Sequence, residues 1–390
     1  MVGAGVIGLL TAVDAVRVGH EVIVVDQGDI PNPRAASFDR HRVIRALHMD
    51  DPAATAAALQ AHVRWVQLQD WLGVPLYVQV GALTVLARPD LARARAAVTG
   101  ASAAVTGEAV TGAGAAARAL DPDGLAAAYP HVRFPAGAGG LLESRAGVLL
   151  ADRVLGACAD WLRRHPRATL HPHRRAVGVD GDRATVRFAD GEVIGADAVL
   201  VATGPWSRDL LGPDVADDLV LYRQTMLYCD PALAGPAWSL TPPMLRLGSD
   251  GGAWFVPPVA GTPLKLSAAS ACRVVAEVTE ESTPPDWRDH LIDVFSGVIP
   301  RFRADWVVQA RDAYYLAPAS TQAPRLAVLG PSALCFAACG GSSFKFAPLI
   351  ARSLMGRLTG VDPAPIGLDP FDRVIARNPH DVRPAMRGVS

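Results

Sequence analysis

The stretch Val2-Gly-Ala-Gly-Val-Ile-Gly8 opens the chain and constrains its fold more than any other. Its glycines, Gly3, Gly5 and Gly8, have the spacing G-x-G-x-x-G. The first glycine of such a turn permits a tight strand-to-helix reversal, the second lets backbone approach a pyrophosphate, and the third lets the helix pack closely on a sheet. The helix amino terminus then presents N–H groups to the phosphates. The next residues agree with this. Leu9 to Val18 carries apolar residues on one helix face and Gly19 suits a carboxyl-terminal cap. Glu21-Val-Ile-Val-Val-Asp26 is a short apolar strand ending in an acid about 20 residues past the glycines, where a ribose-binding carboxylate is expected. Only the first strand is missing from the fingerprint, because Met1 and Val2 alone precede Gly3. A strand normally supplies about five residues, so either the start is shortened or the innermost strand is stunted.

A chain of 390 residues has room for two domains and a large core. Its net charge of -1 provides no basic field for nucleic acid or an anionic membrane, and no uncharged apolar run reaches the roughly 18 to 20 residues of a membrane span. The amino terminus lacks a basic leader and is interrupted by Asp14, so it does not read as a signal peptide. Five scattered cysteines, an odd number, favour a reducing compartment over a disulfide framework, and Cys335 and Cys339 lack a second ligand pair for zinc. The expectation is a soluble, cytoplasmic protein of small-molecule chemistry without a metal site. One compositional fact is sharper. Of 37 basic side chains only Lys265 and Lys345 are lysine, leaving 35 arginines. Lysine is a compact point charge whose pKa falls on burial, whereas guanidinium is planar and permanently charged. The two lysines are either survivors on a solvated face or positions that require an ammonium.

Along the chain, Ser37-Phe-Asp-Arg-His-Arg-Val-Ile-Arg45 gathers Arg40, Arg42, Arg45 and His41 in six residues. It reads either as a solvated basic loop or as a segment that turns one or two arginines inward to an anionic ligand. Asp51-Pro52 opens a long helix whose Trp65, Leu68 and Trp71 predict a core stripe before a stop at Gly73. Tyr77 to Leu86 predicts a strand, Leu149 to Arg164 an amphipathic helix, and Ala184–Phe188 with Val193–Ile194 a hairpin across Asp190-Gly191. Ala198-Val-Leu-Val-Ala-Thr-Gly204 is a buried strand stopped by Pro205-Trp206. Strands at 219–229, 253–257 and 264–267 suit a substrate domain. A second glycine turn, Cys339-Gly-Gly-Ser-Ser-Phe-Lys-Phe346, leads into a helix over 348–358 capped by Gly360, and Phe371 is expected to tether a loose tail.

Taken in this order, Gly3-x-Gly5-x-x-Gly8 with Asp26, Arg42-Val-Ile-Arg45, Ala198 to Trp206, Leu264-Lys-Leu266 and Gly341-Ser-Ser-Phe-Lys-Phe-Ala-Pro348 resemble the flavin-dependent amine oxidases of the D-amino-acid oxidase superfamily, in their sarcosine oxidase-like branch. The resemblance spans nearly the full length. It implies an α/β fold: a discontinuous, Rossmann-like FAD-binding domain on a parallel sheet (1–76, 145–212 and 312–362), a substrate domain on an antiparallel sheet (77–144 and 213–311), and a tail over 363–390. It implies FAD held by Gly3, Gly5, Val6, Ile7, Gly8, Asp26, Arg42, Thr203, Gly204, Trp206, Gly340, Gly341, Ser342, Phe344 and Lys345.

Carried over by position, Lys265 matches the lysine near the flavin N5 that speeds reaction with O2, a role that suits a cation facing developing negative charge. Arg45 and Lys345 match a clamp on a substrate carboxylate, and Arg42 matches an arginine over the flavin ring. The implied reaction is oxidation of the C–N bond of an α-amino, N-alkyl amino or cyclic imino acid to an imine, by hydride transfer to flavin N5, with O2 giving H2O2. The chain departs from the family in three places. Ala313 stands where an R-x-C-x-Y cysteine would link the flavin, so FAD is expected to dissociate. Trp254 and Ala269 replace a substrate-side tyrosine and histidine, which argues for a bulkier amine than sarcosine. His41 stands where a small hydroxyl residue is usual and could perturb the flavin face. The expected partners are the amine and O2, in a monomer or small homo-oligomer. A flavin dehydrogenase with another acceptor, a nicotinamide-dependent dehydrogenase and a flavin-free degenerate chain are the alternatives.

Overall fold

The structure, a computed structural model, describes residues 1–106 and 116–360; Phe371 and the 363–390 tail lie outside them. The chain forms two compact units, each assembled from separated segments. One comprises Met1–Ala36, Cys158–Val220 and the chain from Tyr315; the other comprises Ser37–Ala157 and Leu221–Tyr314.

In the first unit, strand Val22–Val25 runs parallel to Ala168–His171, and Val199–Val201 runs parallel to Ala333–Ala338, which pairs antiparallel with Arg325–Gly330. Val2 lies between the two halves, bridged in parallel to Val25 and Val201. Four ladder hydrogen bonds hold it: Val2 N to Leu200 O, Gly3 N to Val25 O, Val25 N to Met1 O, and Ala202 N to Val2 O, all 2.7–2.9 Å. Among the described residues Val2 is thus the bridged residue that joins the two halves of this sheet. The helices Val6–Arg17 and Ala347–Thr359 pack on each other, burying Leu9, Ala12, Val13, Ile350 and Leu354. The expected hairpin forms, with Gly191 at φ +90° in its turn and a third strand, Ala176–Asp180, beside it.

The second unit is built on one large sheet. Its order is Cys272–Val275, Leu219–Cys229, Leu264–Ala268, Ala253–Val256, Met244–Leu247, Ala82–Leu86, Gly139–Glu143 and Ala117–Leu120, with Val307–Pro318 also on Leu219–Cys229. The registered pairs are antiparallel except that Met244–Leu247 runs parallel to Ala82–Leu86. Leu83, Phe255, Leu266, Trp238 and Phe295 form its core.

Three local expectations change. Tyr77 to Leu86 is two strands, because Gly81 at φ +74° turns the chain out of the small sheet, where Tyr77–Val78 pairs with Gly147–Leu149, into the large one. The helix expected from Leu149 begins at Ala151, Leu149 being spent as the last residue of that strand. The helix Pro52–Leu72 has the predicted ends, Asp51 accepting from Ala54 N and Gly73 left-handed at φ +66°. Its tryptophan stripe is not uniform: Trp65 is fully buried but Trp71 is 40% exposed, since the last turn runs past the surface it packs on.

Candidate functional site

In the first unit the glycine turn is shaped as its spacing requires. Gly3 has φ +101°, and a Cβ there would lie 2.5 Å from Ala202 O; one on Gly8 would lie 1.9 Å from Gly3 O. No side chain could be added at either position without moving backbone. Gly5 then starts the helix Val6–Arg17 with no side-chain cap and no acidic residue in the first turn, the electrostatic setting that suits a phosphate. These features fit the pyrophosphate of a dinucleotide.

Asp26 ends its strand buried. Its carboxylate accepts from Ala4 N (2.8 Å), Gly28 N (2.9 Å) and Asn32 Nδ2 (2.8 Å). A carboxylate offers about four acceptor positions, so one remains for a hydroxyl. Asn32 was not singled out from the sequence; its signal was its place in the turn Gly28 to Asn32. After Val199–Val201, Thr203 Oγ1 lies 3.1 Å from Ser207 Oγ, Gly204 is left-handed at φ +60°, and the Arg34 guanidinium lies 5.6 Å from the Trp206 ring centre.

The late glycine turn is equally constrained. Gly340 (φ +59°) leaves no room for a Cβ, which would lie 2.3 Å from Gln322 O, and Gly341 (φ +70°) is left-handed, with a Cβ there in tight contact with the Tyr315 ring at 3.1 Å. Ser342 is exposed, Phe344 half-buried and Lys345 buried, its Nζ 5.0 Å from the Phe346 ring centre. Ala313 lies in strand Val307–Pro318.

The second unit carries a buried charge cluster. Lys265 is central in strand Leu264–Ala268, in register with Tyr228 on one neighbour and Val256 on the other. It is 1% exposed. Its ammonium is ion-paired with Asp39 Oδ2, whose carboxylate also accepts from Tyr228 OH (2.7 Å) and lies 3.3 Å from Arg42 Nη2. A second, longer contact runs from Nζ to His41 O at 3.4 Å, and Nζ lies 5.5 Å from the Trp254 ring centre.

Burial would raise the Asp39 carboxyl, but Lys265 and then Arg42 hold it well below the usual carboxylate range. Lys265 is pulled down to about 8, burial outweighing the support of Asp39. His41 is pushed down to about 3 by burial and then by Lys265, so its imidazole is neutral. Neither ring nitrogen makes a well-formed hydrogen bond among the described residues; the backbone of Val256 offsets the burial only in small part. Burial and then Asp39 raise the Tyr228 phenol.

The basic segment thus divides. Arg40 is exposed and pairs with Asp152 at 3.3 Å, as a solvated loop would have it, while His41 and Arg42 turn inward. Arg45 goes elsewhere, into a cleft it shares with Glu143, His62 and Arg145. Of the residues expected at the site, this unit brings Lys265, Arg42, His41 and Trp254 together and sets Arg45 apart. Asp39 and Tyr228 were not anticipated. Asp39 had a sequence signal, an acid three residues before Arg42 in an otherwise cationic run, whereas Tyr228 is recognisable only from strand register.

Comparison with known proteins places this geometry. The profile of a family described as FAD dependent oxidoreductase matches residues 1–357. The chain is 23% identical over 222 residues to human peroxisomal sarcosine oxidase (55% of this chain, 52% of that protein). It is 24% identical over 213 residues to N-methyl-L-tryptophan oxidase of Escherichia coli O1:K1 / APEC (54% of each). The chain thus spans about half the length of these curated relatives. Among solved structures, NikD, an unusual amino acid oxidase essential for nikkomycin biosynthesis, superimposes in its open form with TM-score 0.74 at 17% identity, covering 96% of this chain and 95% of that one. A thermally stable mutant of fructosyl peptide oxidase gives TM-score 0.73 at 19% identity, covering 92% and 90%. At these identities the structures establish a shared fold.

Proposed function

Because the chain belongs to the FAD dependent oxidoreductase family, we propose that it oxidises the C–N bond of a small amine bearing a carboxylate, an α-amino, N-alkyl amino or cyclic imino acid, to an imine. The curated relatives act, by name, on sarcosine and N-methyl-L-tryptophan, which supports an amino-acid-like substrate. The observation that carries the reading is Lys265, one of only two lysines in the sequence, buried at the centre of a strand beside Arg42 and Trp254.

In this reading Gly3, Gly5 and Gly8 with the helix start at Val6 hold the FAD pyrophosphate, and the free acceptor position of Asp26 takes a ribose hydroxyl. Thr203, Gly204, Trp206, Gly340, Gly341, Ser342 and Phe344 complete the cofactor site. When bound, FAD supplies the two-electron acceptor for the substrate C–H electron pair, and O2 then takes the electrons to give H2O2. Lys265 keeps a positive charge in a dry pocket where negative charge would develop on oxygen. Trp254 provides a flat apolar wall against the substrate. Lys345 receives the carboxylate; Arg45, its expected companion, lies in a cleft of its own, apart from Lys265, Arg42 and Trp254. Ala313 offers no thiol at the position where the family forms its link, so the flavin is non-covalent.

The first test is an absorption spectrum before and after acid precipitation, then an amine screen for H2O2. Bands near roughly 370 and 450 nm that pass into the supernatant are expected. A protein that stays colourless when FAD is added overturns the reading. One observation favours a second reading, a flavin dehydrogenase with another electron acceptor: Asp39, in contact with the Lys265 ammonium, offsets its field. Turnover with an artificial acceptor but no H2O2 under air selects that alternative.

A further inference from the structure

The Lys265 ammonium sits among more cations than anions. Arg42 and, from strand Val307–Pro318, Arg311 both disfavour its charge, and Asp39 is the one acid among the described residues that supports it. The His41 imidazole and the Tyr228 phenol are neutral and add no charge of either sign. At 1% exposure the ammonium has little support from water. Guanidinium is permanently charged, whereas a buried amine can give up its proton. Of the three cations, only the lysine can relieve the excess by becoming neutral.

Asp39 is itself fixed. Its Oδ1 accepts from Tyr228 OH and from Arg40 N, each at 2.7 Å, and its Oδ2 is ion-paired with Lys265 and with Arg42 Nη2, the latter at 3.3 Å. These four partners take about all the acceptor positions a carboxylate has, so none is left for a substrate. The ammonium is fixed in turn. One N–H goes to Asp39, a second points to His41 O at 3.4 Å, and the third has no partner among the described residues. With two tetrahedral directions set, the third points away from Asp39.

We propose that Asp39 is a positioning residue for the reaction with O2: it keeps the Lys265 amine charged and aims its one uncommitted N–H. In its effect on rate the assignment rests on the amine-oxidising reading. A carboxylate beside an ammonium can weaken it by offsetting its field or sustain it. The excess of cations favours the second, because without Asp39 no ammonium remains to be offset.

The test uses the presence of only two lysines. FAD-loaded protein labelled with 13C at the lysine Cε gives one nuclear magnetic resonance signal per lysine, and that of Lys265 is the one absent from Lys265→Met. This signal is expected to titrate at about pH 8. In Asp39→Asn it titrates about one to three pH units lower. Asp39→Ser, uncharged and still able to accept from Tyr228 OH, serves if Asp39→Asn does not fold. The fall of the reoxidation rate with pH moves acidward by the same amount, and Asp39→Asn slows nothing further in the Lys265→Met background. A titration moved by less than about half a unit, faster reoxidation, or an added loss in the double variant overturns the assignment. A signal that moves as expected in a yellow protein forming no H2O2 sinks the oxidase reading alone and leaves Asp39 as the holder of the charge.

Discussion

Lys265 links electrostatics to rate. Its ammonium is present below about pH 8 and lost as pH rises through that value, because burial disfavours the charge more than Asp39 supports it. Reoxidation of reduced flavin by O2 is therefore expected to slow as pH rises through about 8, while reduction by substrate changes less; stopped-flow traces of the two half-reactions check this. Lys265→Met is expected to slow reoxidation at least about tenfold and to flatten its pH profile. Equal slowing of both half-reactions would remove Lys265 from that role. The carboxylate left behind keeps Arg42 at 3.3 Å, which limits the cost of an unpaired buried charge. Stability responds to pH in the opposite sense. The folded pKa lies below the ordinary 10.5, so between about 8 and 10.5 the unfolded chain holds a proton that the folded chain has released, and this group's contribution to stability rises with pH. At this scale the sequence identified the lysine but not its counter-ion. Asp39 reads as one more charge in a polar run until the fold buries it.

Elements were legible where both ends carried chemistry. Asp51-Pro52 and Gly73 bound the long helix because a capping carboxylate, a fixed φ and a left-handed glycine each satisfy a terminus. Periodicity was less informative inside it. Trp65 and Trp71 both suit a buried stripe by spacing, but only tertiary packing decides which turn is covered. Trp65→Ala is expected to cost roughly 3–5 kcal/mol and Trp71→Ala within about 1 kcal/mol, read by chemical denaturation. Comparable losses at both would mean that the end of the helix is covered in solution. The break in Tyr77 to Leu86 was hidden for a different reason. Alternation continues through Gly81, and only its φ of +74° shows that the two halves belong to different sheets.

For the whole molecule, the sequence announced a nucleotide fold through its glycine turns but could not weigh its central strand. Val2 alone bridges Val25 and Val201, so much of that sheet's continuity depends on one residue and its backbone neighbours. Cofactor binding adds stability to such a unit by mass action, about 2.7 kcal/mol at a ligand concentration a hundred times Kd. The melting temperature is accordingly expected to rise with added FAD and to fall after the flavin is stripped. A melting temperature insensitive to FAD would show that the glycine cradle does not hold the cofactor.

The scarcity of lysine reaches beyond catalysis. Both lysines are buried, Lys265 at 1% and Lys345 at 8% exposure, so the described surface offers no lysine side chain to reagents in solution. Acylating reagents, aldehyde cross-linkers and amine-coupling resins should find little beyond the chain terminus on the folded protein. Intact-mass measurement after brief treatment with an N-hydroxysuccinimide ester would then show two further additions only once the protein is denatured. Such labelling is a gauge of access: each acyl group gained under native conditions beyond that of the terminus reports that water, and with it reagent, has reached one of these two ammonium groups.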